Sequence, residues 1–468
     1  MSSRKISRRE FLQMGALTGV GAVLAACAPQ STPAPTPTTA APAAAAPTTA
    51  PAPTTAPAAQ GEVVTLQQID GAGAPYTSAI TEVIGLFEKA NPGIKIERII
   101  APSAPSETWT VINSSLASGR PCDIFFGSGR AWMKDLARKG MIIDLTDTIK
   151  SWGYTFLPGT LEQLTFKGKC YSAPWDIQFK FFTYNTNIFK KYSLNIPTTW
   201  AEWNSTCEEL KKQKVTPSAF GAQSGDVWAA LNWVGLFNQK LMGIKAVADD
   251  YEVETGTWEN PLYETALDLL AEQNDKGYFG TNPFASPHQV AQAKLFGDTA
   301  GSLYCGSWDL TVMTDPTKCP PDFMTHIDME SKIWHDPSWA GEPYAVQGGA
   351  MGWDIPTKCP HLPETLKWLQ FEESGQASQI FHHYIQYFMA NVDYKPEWLN
   401  AEIVKLTESL KNIDGMFDFS DQSGDPTIWP AYGTAIQAVL GHEETSKVAM
   451  DKVRAVVKTA RDKANASG

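Results

Sequence analysis

Asn91-Pro92-Gly93-Ile94-Lys95-Ile96-Glu97-Arg98-Ile99 stops a helix and starts a strand in one short run. Upstream, Ile80, Val83, Ile84 and Phe87 recur at helical spacing, and the Asn-Pro-Gly triplet ends that periodicity. The alternation from Ile94 to Ile99 then changes the period from helix to strand. Before the helix, Val63-Val64-Thr65-Leu66 is an apolar, β-rich opening. Beyond the strand, Trp109, Ile112 and Leu116 mark a second helix ending at Gly119, Asp123-Ile124-Phe125-Phe126 reads as a buried strand, and Trp132 to Lys139 as a third helix. Strands alternating with helices at this spacing predict βαβ units and a mostly parallel sheet covered on both faces. Ligands of such sheets sit at the carboxyl ends of the strands.

The pattern then changes. Lys169-Cys170-Tyr171-Ser172-Ala173-Pro174 and Phe181-Phe182-Thr183-Tyr184 are extended, helices dominate from Trp200 to about Lys276, Gly301-Ser302-Leu303-Tyr304 is a further strand, and Tyr344 to Ile355 is extended around Gly348-Gly349. Helices return from Glu364 through His383 and near Ile436 and Val448 to Val457. A crossing between two domains fits the first change.

The N-terminal region is targeting sequence. Ser7-Arg8-Arg9-Glu10-Phe11-Leu12 before a Gly-rich, weakly apolar run reads as a twin-arginine export signal over residues 1–26. Leu24-Ala25-Ala26-Cys27 resembles a bacterial lipobox, which makes Cys27 the lipidated N-terminus of an extracytoplasmic protein held at the outer face of the cytoplasmic membrane. Residues 28–60 are Ala, Pro, Thr, Ser and Gln, with no large apolar side chain to bury, so 27–60 form a disordered tether. Pro-rich chain at about 3.1 Å per residue reaches roughly 100 Å. The formal charge of −12 becomes about −15 once the basic signal is removed, which argues against a nucleic-acid partner.

The order of elements, with Ser118-Gly119-Arg120-Pro121-Cys122-Asp123, Gly168-Lys169-Cys170-Tyr171-Ser172-Ala173-Pro174, Tyr184-Asn185-Thr186-Asn187-Ile188-Phe189, Pro197-Thr198-Thr199-Trp200-Ala201-Glu202-Trp203 and a Gly301 to Trp308 strand ending in Gly-x-Trp, resembles the extracellular solute-binding proteins of ABC sugar importers, the family of maltose-binding protein. Cys122 departs from the family by standing between Pro121 and Asp123, which leaves any role of Asp123 open. The resemblance implies an α/β, two-lobed periplasmic-binding-protein fold of type II, each lobe a mostly parallel sheet flanked by helices. Residues 61–177 with 325–390 would form one lobe, and 178–324 with 391–468 the other. It further implies a solute, with carbohydrate the expected class, held between lobes that close on it, a membrane permease as partner, no cofactor, and a monomer.

A sugar pocket needs polar groups for the hydroxyls and flat aromatic faces for the C–H patches. Sixteen Trp residues supply candidates. Trp308 and Trp429 fall where the family has ligand-stacking tryptophans, with simple packing as the alternative at each. Trp175-Asp176 pairs an aromatic with a carboxylate near the crossing, hinge packing being the alternative. Trp228 follows Asp226, which can cap the helix while Trp228 reaches the cleft and Trp233 packs inward. Gly348 and Gly349 either let backbone amides approach a ligand or form a turn at positive φ, the turn being the preferred reading. Asp70 and Arg130 stand after the first and third strands as charged ligand contacts.

The competing class is a secreted carbohydrate-active enzyme. The adjacent pairs Glu208-Glu209, Asp249-Asp250, Glu372-Glu373 and Glu443-Glu444 read as solvated faces, and the chain has no G-x-S-x-G elbow or H-E-x-x-H site. A solute sensor for a membrane receptor would share the fold and pocket. Cys122, Cys170, Cys207, Cys305, Cys319 and Cys359 lack C-x-x-C spacing, so no metal site is expected and structural thiols or disulfides are.

Overall fold

Thirteen residues of continuous strand, Ala173–Asn185, hold this molecule together, all of them buried except the half-buried Gln178. A computed structural model describes residues 62–466 apart from 72–73, 103–104, 128–129, 158, 224–225 and 421–423. The export signal, Cys27 and the tether lie outside these residues. In chain order the strands are β1 (Val64–Gly71), β2 (Ile94–Ala101), β3 (Ile124–Gly127), β4 (Thr165–Phe166), β5 (Lys169–Cys170), β6 (Ala173–Asn185), β7 (Thr216–Ala219), β8 (Ala300–Gly306), β9 (Ile327–Glu330), β10 (Ala345–Asp354) and β11 (Gly415–Phe417). β4 and β5 form a small hairpin; the rest make one sheet in the order β2-β1-β3-β10-β6-β8-β7, with β11 added to β10 and β9 to β6.

The opening βαβ unit forms as its periodicity dictates. Helix Ala74–Ala90 buries Ile80, Val83 and Phe87. The Asn91 side chain donates to the Phe87 carbonyl to finish it, and β2 then pairs in parallel with β1 from Val64↔Ile94 to Gly71↔Ala101. β3 adds in parallel on the other side of β1.

The expected mostly parallel sheet is mixed. Its flanks are parallel, but β3–β10, β10–β6, β6–β8 and β6–β9 are antiparallel. The reason is that β6 and β10 run in opposite directions through the middle. β6 pairs with β10 over Ala173–Phe179 and with β8 over Lys180–Tyr184. β10 pairs with β11 over Ala345–Gln347 before it meets β6.

Two large cores meet along this line. One gathers Phe182, Tyr184, Trp203, Trp233, Trp258 and Trp334 with the C-terminal helices. The other runs from Leu66 and Phe87 through Trp175, Phe179 and Phe181 to Trp368 and Phe381, and includes Ile403 and Leu406, residues expected in the second lobe. Trp233 is buried in the first core.

Gly348-Gly349 is no turn. Neither residue has positive φ; both sit inside β10 opposite Phe179 and Gln178. A Cβ on Gly348 would lie 2.6 Å from the Gln178 carbonyl oxygen and 2.8 Å from Phe179 Cβ, so the missing side chain lets two backbones approach.

Glu372-Glu373 is no solvated face either: the two residues are 0% and 1% exposed. They end helix Leu362–Glu372 where it turns into helix Gly375–Ile385, and burial, with the neighbouring Glu373 and Asp70, pushes the Glu372 carboxyl well up. The six cysteines among the described residues are free thiols, five of them buried. Asp123, left open by the shifted turn, is a tie: its carboxylate accepts from the Gln67 amide at 2.8 Å and from the His361 ring and amide at 3.0 and 3.1 Å.

Candidate functional site

Strand β8 ends at Gly306, and the chain turns at once through the 3-10 segment Ser307–Asp309. Asp309 fastens the turn. Its carboxylate accepts from the Gly306 amide at 2.8 Å, from His288 Nε2 at 2.9 Å and from Gln292 Nε2 at 2.8 Å. Burial works to raise this carboxyl, but His288 and Lys180 with these hydrogen bonds hold it below the usual carboxylate range.

On this base stand two of the expected residues. The indoles of Trp228 and Trp308 meet edge to face, 5.5 Å apart at 79°, and both side chains are half-buried. Trp228 also packs on His288 at 4.9 Å, and Trp308 on Phe419 at 5.9 Å. The expected cap at Asp226 is absent: Asp226 stands at the N-cap of helix Val227–Met242 without a capping hydrogen bond. Its carboxylate instead accepts from Trp228 Nε1 at 3.3 Å and from the His288 amide at 3.0 Å, which ties the indole to the His288 segment.

Lys180, on β6, lies behind the pair, 1% exposed. Its ammonium donates to the Tyr304 carbonyl at 3.2 Å and sits 5.2, 4.6 and 5.1 Å from the ring centres of Trp228, Tyr304 and Trp308. Next to it, Tyr304 donates to Gln347 Oε1 at 3.3 Å, while Gln347 Nε2 is buried with no hydrogen-bond partner. Gly349 faces Gln163, whose Oε1 accepts from the Ala350 amide at 2.7 Å. An apolar double face over a polar layer suits a ring that is apolar on its faces and polar at its rim.

The other expected residues go elsewhere. Asp70 gives its carboxylate to Arg98, at 2.9 and 2.5 Å, and to Gln68 Nε2 at 2.9 Å. At 2% exposed it is the anion of a buried pair rather than a free ligand contact. Trp175, 3% exposed, is packed among Tyr76, Phe126, Trp353, Phe381 and Tyr387, so packing prevails over stacking there. Asp176 is buried beside it, accepts from Gln178 Nε2 at 3.1 Å, and is pushed by burial up to about 8. Arg130 opens helix Arg130–Arg138, and its side chain lies outside what the structure describes. Trp429, near the start of helix Ile428–Leu440, is half-buried against the core that holds Trp233 and Trp258, with Nε1 unpartnered. No ring contact joins it to Trp228 or Trp308 among the described residues.

Sequence reasoning missed Lys180, His288, Gln292, Asp309 and Phe419. One signal was available: a lysine inside Phe179-Lys180-Phe181-Phe182 has no place in a buried strand unless something compensates it.

Away from this site, two ion pairs join helix Arg130–Arg138 to residues 252–254. Lys134 donates to both oxygens of Glu252 at 2.6 and 2.7 Å, and Arg138 to Glu254 at 2.9 Å. Beside them a cavity of about 220 Å³ is lined by Asp135, Arg138, Lys139, Asp425, Lys463 and Ala464. Among the described residues no helix is long and apolar enough to cross a membrane, and no cluster of side chains suits a metal.

Residues 71–371 match the family described as bacterial extracellular solute-binding protein. An uncharacterised ABC transporter extracellular-binding protein of Pyrococcus horikoshii is 31% identical over 269 residues, 54% of this chain and 59% of that protein, less than two thirds of its length. The multiple sugar-binding protein of Streptococcus mutans is 23% identical over 314 residues, 65% of this chain and 70% of that one. Among solved structures, a chitin oligosaccharide binding protein superposes with a TM-score of 0.76 at 21% identity over 86% of this chain and all of that one. Maltose-bound T. maritima MalE3 gives 0.70 at 15% identity over 85% of this chain and all of the other. These likenesses fix the fold as the two-lobed, maltose-binding type. With almost two thirds of its length inside the family match, the chain belongs to the bacterial extracellular solute-binding proteins.

Proposed function

We propose that this protein captures a carbohydrate between its two lobes, outside the cytoplasm, and delivers it to the membrane permease of an ABC importer. The observation that carries the reading is the Trp228–Trp308 pair, two half-buried indoles at 79° on the hydrogen-bonded base of Asp309. Two flat faces set nearly at right angles suit a sugar ring and its substituent, or two successive rings of an oligosaccharide. The sugar-binding names of the Streptococcus mutans relative and of the two superposed structures support the same class.

In this reading Trp308, Trp228 and Trp429 stack on the solute, Arg130 is a charged contact, and the backbone at Gly348-Gly349 borders it. Residues 61–177 with 325–390 and 178–324 with 391–468 act as the closing lobes about β6 and β10. Residues 1–26 direct export by the twin-arginine route, Cys27 carries the lipid, and the tether holds the monomer near its permease. Loading is signalled by closure, because a ligand shifts that equilibrium only if it binds the closed form better.

The test is a thermal-shift screen of the protein against mono- and oligosaccharides, polyols and their phosphates, followed by calorimetry and by chromatography of the incubated sugar. A solute at about 100 times its Kd stabilises the fold by about 2.7 kcal/mol. One sugar that raises the melting temperature, binds once and is recovered intact is the expected result. A consumed sugar, or a screen in which no carbohydrate shifts the melt, overturns the reading.

A further inference from the structure

We propose that Lys180 is the positioning residue of the solute site: its buried ammonium sets the mutual angle of Trp228 and Trp308, so the two indoles stand preformed before solute arrives. This rests on the reading of that pair as the solute-facing surface.

Lys180 is an energetic anomaly. A charged side chain taken out of water is costly unless it is compensated, and Lys180 is 1% exposed in a strand whose neighbours Phe179, Phe181 and Phe182 are each 0% exposed. An aliphatic residue would fill the same space without that cost. The compensation is specific. Three aromatic rings lie within reach of the ammonium, each from a different element: Trp228 from helix Val227–Met242, Tyr304 from β8, and Trp308 from the turn after it. Each centroid is inside the roughly 6 Å range in which a cation is held by a ring's quadrupole. The nearby Asp309 carboxylate adds a negative charge, which Lys180 helps to hold below the usual carboxylate range.

A cation–π contact constrains where a ring stands relative to the cation, and one ammonium shared by two indoles constrains the indoles relative to each other. Lys180 also sits where β6 leaves β10 and takes up β8, opposite Gly306 in register. The point that orients the aromatic pair is therefore on a strand common to both cores, and the geometry of the pair is tied to the crossing itself. Pre-ordering a binding surface in this way improves affinity by removing the entropy lost on ordering it later.

The experiment compares full-length wild type with Lys180→Met, which keeps length without charge, and Lys180→Arg, which keeps the cation. The circular-dichroism difference between each of these proteins and its own Trp308→Phe derivative isolates the exciton coupling of Trp308 with its neighbour in the absence of solute. We expect that difference signal to collapse in Lys180→Met and to persist in Lys180→Arg. For the sugar found by the screen, we expect Lys180→Met to bind about tenfold more weakly and Lys180→Arg to stay within about threefold of wild type. A Lys180→Met protein that melts cooperatively with unchanged coupling and unchanged affinity overturns the proposal. Should Lys180→Met not fold, Lys180→Gln carries the same comparison, and failure of both to fold overturns the proposal in favour of a cation needed only for folding. If wild type binds no sugar, the functional reading fails separately, and the solute-free coupling still decides what Lys180 does.

Discussion

Gly306 lies directly under the indole of Trp308: a Cβ placed on the glycine would come within 2.2 Å of Trp308 Cζ2 and 2.3 Å of Cε2. The φ of Gly306 is −113°, a value open to any residue. The glycine is required by the space the ring occupies, and not by its backbone. Gly306→Ala therefore has to move the indole, because the strand on the other side is fixed by its pairing with β6. Crowding a packed site by one carbon costs about 1–3 kcal/mol, and the displaced indole can no longer meet Trp228 edge to face. Calorimetry with the identified sugar is expected to give at least a tenfold loss of affinity, about 1.4 kcal/mol, with a cooperative melt retained at a lower temperature.

Asp309 makes a second prediction. One of its oxygens accepts from His288 and Gln292 and the other from the Gly306 amide. In Asp309→Asn one of these oxygens becomes a donor and faces a donor. The change also removes one negative charge that Lys180 interacts with. Removing one partner of a buried, hydrogen-bonded charge cluster costs about 3–5 kcal/mol, so the urea midpoint is expected to fall by an amount of that order with unchanged slope. His288→Gln, which can retain a donor toward Asp309, is expected to lose less.

The local parts of this architecture were legible in the chain. Ile80, Val83 and Phe87, the stop at Asn91-Pro92-Gly93 and the alternation from Ile94 announce a βαβ unit because helix and strand periods are properties of neighbours. What depended on distant partners was not. Gly348 and Gly349 suggest a turn when read alone, whereas both lie inside β10 and Gly348 admits the β6 backbone. Trp175 and Trp228 look alike as tryptophans near acidic residues, and only the sheet decides that the first enters a core and the second remains half-buried. A strand-end aspartate at Asp70 suits a ligand until Arg98, 28 residues away, takes it. The carboxyl pair Glu372-Glu373 resembles any solvated helix end, since its burial is set by the turn into the next helix and by Asn391, which donates to the Glu373 carbonyl at 2.7 Å.

Those buried acids predict a pH effect. Asp176 is raised by burial to about 8, and burial raises Glu372 and Glu373 well above the carboxylate range, helped by Glu373 and Asp70 at Glu372 and by Asp176 at Glu373. A folded carboxyl that holds its proton while the unfolded one has lost it contributes stability that is full below the unfolded pKa and disappears as pH climbs through the folded one. For Asp176 that window runs from the ordinary carboxylate range to about 8. Asp176→Asn stays neutral throughout, so its melting temperature is expected to rise relative to wild type as pH goes from about 5 to about 8. Comparing the two proteins point by point removes the opposing contribution of Lys240, which burial lowers to about 7.

The bridges between the cores predict how solute binding responds to salt. Lys134 and Arg138 belong to a helix whose Met133 and Leu136 pack with β1 and β3, while Glu252 and Glu254 flank Val253 in the opposite core. On the proposed lobe boundaries the Lys134–Glu252 and Arg138–Glu254 pairs each join one lobe to the other, and so favour their approach. The ends differ in exposure: Arg138 is 7% exposed, Glu252 46%. Exposed pairs contribute about 0.2–1 kcal/mol each and are screened by salt. If closure and solute binding are linked, weakening the closed form must weaken the solute by the same factor. Lys134→Ala with Arg138→Ala is expected to lower affinity for the sugar by about three- to tenfold at low ionic strength. At about 1 M salt, where the screening length is roughly 3 Å, wild type is expected to move part of the way toward the double variant, mainly through the more exposed Lys134–Glu252 pair. A gap that persists unchanged at high salt would mean that the two side chains act by packing and not by charge.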